Sequence, residues 1–420
     1  MAQAVKPLRI ALVHASDFGG GAERSVISLH RGLRALGHDS TVFVGERHSD
    51  EPGVVEIPYV RGMPGSRRAA RWLERTLGLQ DIYNPSFRSL GTLFHGKFDV
   101  LHFNSLWGSN GFADIGALPN LTQSTPSIIT MRENWLITGH CACFHQCQRW
   151  RTGCGSCPDL NLAPAIPRDG TRLNWLRKKS ALGNSHLHVV AISDWLKQQA
   201  EASPLLAGTK ISRIYNGIDL ATFSPPQADA RDTQREALGF ANDDVVVLLA
   251  GQTVEGIKTG ISAHYAIETL NRLPDALSIR PLVVGHSAER VAKQLGRPAV
   301  ILPFQSTTAE MARCFQVADM TLVTSEVEAF GRIAAESQAC GTPVVAFGAG
   351  GIPEVVPHGA GGYIAPPGDV EALLRGMSEF ANSWEMREAQ SRLALTHVRK
   401  HFDQEHVAEQ YIRLYRQVAA

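Results

Sequence analysis

Two doubly wound α/β domains, each a parallel sheet covered by helices on both faces, are what this sequence predicts. Three observations carry the prediction. The chain has 420 residues, more than one hydrophobic core serves at about 150 residues per domain. Short β-branched runs alternate with helical stretches from one end to the other, the rhythm of parallel strands joined by crossover helices. Between two groups of such runs lies "YNGIDLATFSPPQADARD", whose Asn-Gly, Pro-Pro and polar tail read as an interdomain linker over 216–231.

The elements follow in order. "RIALV" opens the first sheet, and the next segment carries Val26, Leu29, Leu33 and Leu36 at helical spacing up to Gly37, where a left-handed cap costs least. "TVFV", "FDVLHF", "SIIT" and "HVVAIS" continue the sheet; "VVVLLAG", "PLVVG", "AVILPF", "MTLVT" and "PVVAF" build the second. In open α/β sheets ligands bind beyond the carboxyl ends of the strands, so the residues just after each run are the candidate site.

Composition narrows the function. A net charge of +1 gives no global reason to expect a nucleic-acid partner. No apolar run reaches the roughly 18 residues a spanning helix needs, and the start "MAQAVKPLRIALVHASD" has only a short one, so a soluble cytoplasmic chain is expected. "GSRRAARWLERTLG" sets Arg67, Arg68, Arg71 and Arg75 beside Trp72, Leu73 and Leu77 on a helix. Such a helix can lie on the anionic inner face of a membrane, or be a solvated helix packing its apolar stripe.

Two strand ends stand out. After the first strand "GGGAERS" places Gly19 to Gly21 at the opening of a helix, either to let backbone N–H groups approach a phosphate or to make a tight turn with no ligand. After "MTLVTS" the segment "SEVEAFGRIAAES" holds Glu328 and Glu336 around a Phe330-Gly331 turn. Amides near Phe330, Gly331 and Arg332 suit a diphosphate, Glu336 could accept from ribose hydroxyls, and Glu328 could meet a sugar hydroxyl or a developing positive charge. The alternative is a surface loop followed by a helix glutamate favoured by the dipole.

The motifs "GGGAERS", "NGIDLATFSP", "GQTVEGIKTG", "SEVEAFGRIAAES", "GTPVVAFGAGGIPEVV" and "GGYIAPPGDVEAL" stand in an order that resembles retaining glycosyltransferases of family 4, over almost the whole chain. The resemblance implies the GT-B fold, two Rossmann-like domains facing each other across a cleft. It sets an acceptor-side domain at 1–217, a nucleotide-sugar domain at 218–400 and a C-terminal helix, 401–420, packing back on the first domain. It further implies catalytic roles for Glu328, Lys258 and Arg132, and donor contacts from Gly20, Gly21, Gln252, Lys258, Phe330, Gly331, Arg332 and Glu336. The donor would be a UDP- or GDP-sugar ahead of an ADP-sugar, the acceptor a glycan or lipid-linked glycan, and catalysis would need no cofactor. Polysaccharide or glycoconjugate biosynthesis is the implied setting.

Three departures from the family pattern matter. Gln252 replaces a phosphate-binding arginine, Arg132-Glu133 replaces a histidine after "SIIT", and Ala329 replaces a glycine after Glu328. The first two favour the rival reading, a catalytically silent sugar-binding or scaffold protein of the same fold, while the third does no more than narrow the turn's freedom. An epimerase or phosphorylase would share the architecture, but the "NGID" and paired-glutamate context fits a transferase better.

Five of the seven cysteines fall between Cys141 and Cys157, inside "TGHCACFHQCQRWRTGCGSCPDL". The Cys-Gly-Ser-Cys knuckle with an upstream pair matches a structural zinc site of Cys141, Cys147, Cys154 and Cys157 in a loop spanning 140–160. Unbound thiols or a disulfide fit as well. A nucleic-acid-binding zinc module lacks its basic recognition helix here.

Overall fold

The structure, a computed structural model, describes residues 6–57, 66–106, 112–251 and 263–420, except the side chains of 66–68 and 228. It divides into two compact units, one of residues 1–217 with 405–420 and one of residues 218–404.

In the first unit the described strands are β1 (Arg9–Ser16), β2 (Asp39–Glu46), β3 (Val54–Glu56), β4 (Val100–Asn104), β5 (Ser127–Met131), β6 (Leu187–Ala191) and β7 (Lys210–Arg213). They pair in parallel in the order β3-β2-β1-β4-β5-β6-β7. The reversal beside β1 and β4 opens the crevice that this topology offers to ligands. β4 and β5 are buried at every position, as strands covered on both faces must be. Tyr411 and Tyr415 of the helix Gln404–Ala419 join Ile10, Leu12, Val100 and Ile128 in the core, and Tyr415 meets the buried His102 at 2.7 Å.

The second unit contributes β8 (Val245–Ala250), β9 (Ile279–Val284), β10 (Val300–Leu302), β11 (Met320–Val323), β12 (Val344–Phe347) and β13 (Gly362–Ala365). Their parallel order is β10-β9-β8-β11-β12-β13, which again reverses, here beside β8 and β11.

The structure amends some local expectations. The first helix runs Gly21–Ala35, so Leu36 is its C-cap and remains 37% exposed, while Gly37 takes the left-handed turn at φ 81°. The tail of the expected linker is ordered: Ala228–Ala237 is a helix, with Arg231 and Arg235 paired to Asp319 at 2.8 and 3.2 Å. β3, β7 and β13 went unread because they are short edge strands with partly exposed patterns.

Candidate functional site

In the second unit the ends of β8 and β11 and the helix Arg332–Ala339 wall a pocket with about 460 Å³ of open space; Ala250, Thr324, Ser325, Glu328, Gly331 and Ala334 are among its walls. Gly331 is the helix N-cap at φ 97°, a left-handed backbone that any side chain would strain. Ala335 donates to the Gly331 carbonyl at 3.0 Å and closes the first turn, so the amides before it open outward at the positive end of the helix.

Glu328 stands at that end. Its surroundings are dense enough that desolvation pushes its carboxyl above the usual range, although amides of Gly331, Phe330 and Ala329 hydrogen-bond to it. Of the amides near Phe330, Gly331 and Arg332 expected to suit a diphosphate, those of Phe330 and Gly331 meet the Glu328 carboxylate in this structure. Phe330 contributes packing: it is 2% exposed and meets Phe402 edge-on at 5.3 Å.

A second loop locks the glutamate from behind. Gly351 donates its amide to the Glu328 carbonyl at 2.8 Å. A Cβ on Gly350, whose φ is 57°, would lie 2.0 Å from that same oxygen, so no other residue fits. This explains Gly350 of "FGAGGIPE", whose positioning role was not read from the sequence. The visible signal was a glycine pair after the strand that follows the glutamate motif.

Glu336 is 1% exposed and is not among the pocket walls. The Arg332 Nε donates to its Oε1 at 2.6 Å, an i,i+4 pair whose arginine side chain is 13% exposed. The structure therefore pairs Arg332, expected at the diphosphate, with Glu336 of the same helix. Gln252 and Lys258 lie outside the described residues.

The first unit gathers polar groups at the ends of β1, β4 and β5. His14 Nδ1 donates to the Asn104 carbonyl at 2.5 Å, and its Nε2 lies 3.7 Å from Glu23 Oε1. Burial alone would raise the Glu23 carboxyl, but His14 and the amides of Glu23 and Gly20 outweigh it and hold the group below its usual range. Hence the Gly20-Gly21 helix start already serves a carboxylate of its own chain, and Gly21 accepts from Ser25 Oγ at 2.7 Å. Arg132 is buried, donating from Nη1 to Asn216 Oδ1 at 2.5 Å and from Nη2 to Asn104 Oδ1 at 3.0 Å. Glu133 accepts from Ser105 Oγ at 2.7 Å. His14, Asn104 and Asn216 were missed in the sequence, where "VHAS", "HFNS" and "YNGI" each put the polar residue at or just past a strand end.

None of the seven cysteines is in a disulfide, and Cys141, Cys147, Cys154 and Cys157 line one pocket with about 290 Å³ of open space in the first unit. Among the described residues no group of three or more His, Cys, Asp or Glu side chains is arranged to hold a metal ion. No helix of the described residues is long and apolar enough to cross a membrane.

Two parallel sheets of this order, each with a polar site at its strand ends, give the two Rossmann-like domains of the GT-B architecture. Family models match both units: Glycosyltransferase Family 4 over residues 19–222 and Glycosyl transferases group 1 over residues 230–395. The chain belongs to glycosyltransferase family 4. A D-inositol 3-phosphate glycosyltransferase of Xylanimonas cellulosilytica is 36% identical over 188 residues, 40% of this chain and 44% of that protein. The chain thus spans less than half the length of this curated relative. Among solved structures, Anabaena HepE in complex with UDP and glucose matches at a TM-score of 0.69 and 18% identity over 98% of this chain and 100% of that one. Sucrose-phosphate synthase from Thermosynechococcus elongatus matches at a TM-score of 0.70 and 20% identity over 98% and 99%.

Proposed function

We propose that this chain transfers a sugar, with retention of anomeric configuration, from a nucleotide-sugar donor to a glycan or lipid-linked glycan in polysaccharide or glycoconjugate synthesis. The observation that carries the reading is Glu328, a desolvated carboxylate fixed by three amides and locked from behind by Gly350 and Gly351, at the mouth of a helix N-terminus. Breaking the anomeric bond leaves positive charge on the sugar and negative charge on the diphosphate. The carboxylate suits the first, and the helix N-terminus with Lys258 suits the second.

No metal is required for this division of charge. A double displacement needs a second carboxylate near the anomeric carbon. Glu336 is committed to Arg332, which favours a same-face substitution in which the departing phosphate takes the acceptor's proton. Gly20 and Gly21 serve the donor phosphates indirectly, through the helix that Glu23 caps. Arg132, tied to Asn104 and Asn216, shapes the first unit's side of the reaction.

A UDP- or GDP-sugar is the proposed donor, a choice the UDP in the HepE complex supports. Calorimetry with UDP, GDP and ADP tests it: one of the first two should bind in the micromolar range, about −8 kcal/mol. Binding of none of the three would overturn the donor assignment. The lipid-linked acceptor places the enzyme in the cytoplasm at the inner membrane face, met by the helix Ser66–Leu77 with Trp72 64% exposed beside Arg71 and Arg75. Each basic residue near an anionic surface adds about 1 kcal/mol. The chain should co-sediment with phosphatidylglycerol vesicles and not with phosphatidylcholine vesicles, and equal recovery with both would remove the membrane contact.

A further inference from the structure

The segment between β5 and the helix Thr171–Gly183 is long and nearly without regular structure; its described helical turns are the 3-10 turns Trp135–Ile137 and Arg149–Arg151. Loops of more than about 12–15 residues without their own secondary structure are uncommon in compact domains and need some other means of order. Part of that order is apolar: Phe144 stacks on Trp150 at 5.2 Å, and Trp150 is 1% exposed.

The rest is strained. His145, Cys154 and Ser156 all adopt positive φ, at 45°, 56° and 49°, although none is glycine, and Gly153 and Gly155 flank the cysteine in the same region. Such backbone persists where surrounding structure over-determines it. The over-determination centres on sulfur. The Gly139 amide donates to Cys154 Sγ at 3.2 Å, His140 Nε2 lies 3.3 Å from Cys157 Sγ, and the Cys157 amide donates to Asp169 Oδ2 at 2.8 Å. Gly139 passes so close to the knuckle that a Cβ there would lie 3.0 Å from the Cβ of Cys154.

We propose that Cys141, Cys147, Cys154 and Cys157 bind one zinc ion, which staples this loop to the first unit. The four thiols share one pocket, none is in a disulfide, and the turn Cys154-Gly155-Ser156-Cys157 brings two of them back to back on left-handed backbone. In the present arrangement the four thiols do not converge on one point, and three of them meet local partners instead: Thr138 for Cys141, the Gly139 amide for Cys154, the Asp159 carbonyl and His140 for Cys157. Sulfur hydrogen bonds are weak, so side-chain rotation toward a common ion gives up little. Four thiols lose their protons to solvent as four Zn–S bonds form, leaving a net charge of −2 on the site. From the helix that follows the loop, the Lys178 side chain, 2% exposed, donates to the carbonyls of Trp135 at 2.5 Å and Thr138 at 3.1 Å and so ties the loop's start to that helix.

The test is metal content of the full chain, purified under reducing conditions. The expected result is one zinc per chain, lost in Cys154→Ser and kept in Cys143→Ser, whose thiol is outside the proposed set. Should Cys154→Ser fail to fold, the parent chain decides alone: stripped by chelator and given cobalt(II), it should show the absorption of a tetrahedral cobalt–thiolate centre. Zinc-free folded protein, a disulfide among the four cysteines in freshly purified protein, equal loss in both variants, or no cobalt–thiolate absorption would each overturn the assignment. None of these readouts depends on the transferase assignment.

Discussion

Glu328→Gln will abolish sugar transfer while leaving the fold at least as stable as that of the parent chain. The loss follows from charge: glutamine keeps the size of the side chain and one acceptor oxygen for the amides of the turn, but it carries no negative charge to stabilise a cationic sugar. Removing one such electrostatic contribution costs about 10²–10³ in turnover. The stability half follows from linkage. Desolvation raises the folded-state carboxyl above its unfolded value, so any stability it adds is present below the unfolded value and lost as pH rises through the raised one. At neutral pH the ionised group is a burden that glutamine removes. Turnover and melting temperature measured side by side check this. More than about a tenth of parent activity, under ~1.4 kcal/mol of barrier, would take Glu328 out of the chemistry. A large fall in melting temperature would make its role structural.

Arg332→Leu is the second large effect, and it appears first as stability. The Glu336 carboxylate is 1% exposed and forms an ion pair with Arg332 at 2.6 Å, so the leucine leaves a buried charge without that partner. Breaking such a pair costs about 3–5 kcal/mol. At about 2–4 °C per kcal/mol for a unit of this size, the melting temperature should fall by at least roughly 6 °C. Adding Glu336→Gln should recover most of the loss, because the two residues act as one unit. The double variant also isolates any contribution of the guanidinium to the diphosphate. If Arg332 compensates for Gln252, the double variant still binds nucleoside diphosphate about 1.5–3 kcal/mol more weakly than Glu336→Gln alone. An unchanged melting temperature in Arg332→Leu would refute the structural part.

The sequence exposed what depends on local chemistry. Ten apolar runs, "RIALV" to "PVVAF", each overlap a strand because buried parallel strands need near-continuous apolar residues. Family membership was legible in the Glu328–Glu336 spacing and the flanking glycines. What stayed hidden depends on pairings across the chain. Nothing near Arg332 says that its nitrogen meets Glu336 rather than a ligand, since the i,i+4 spacing permits the pair without requiring it. That Glu328 draws in the amides of its own turn, and that Gly350 backs its carbonyl 22 positions later, emerges only when β12 lies beside β11. Arg132 reads as a catalytic cation from the resemblance, and its bonds to Asn104 and Asn216 could not be read from the sequence at all.

The central claim is that the pocket around Glu328 cleaves the bond between a sugar and a nucleoside diphosphate. Its most direct measurement is the release of nucleoside diphosphate from UDP- and GDP-sugars over time, with parent chain and Glu328→Gln assayed in parallel and no divalent metal added. The account predicts release by the parent chain from one of the two donor classes and at least about a hundredfold less by the variant. No donor-dependent release by the parent chain, or equal release by both proteins, would contradict it.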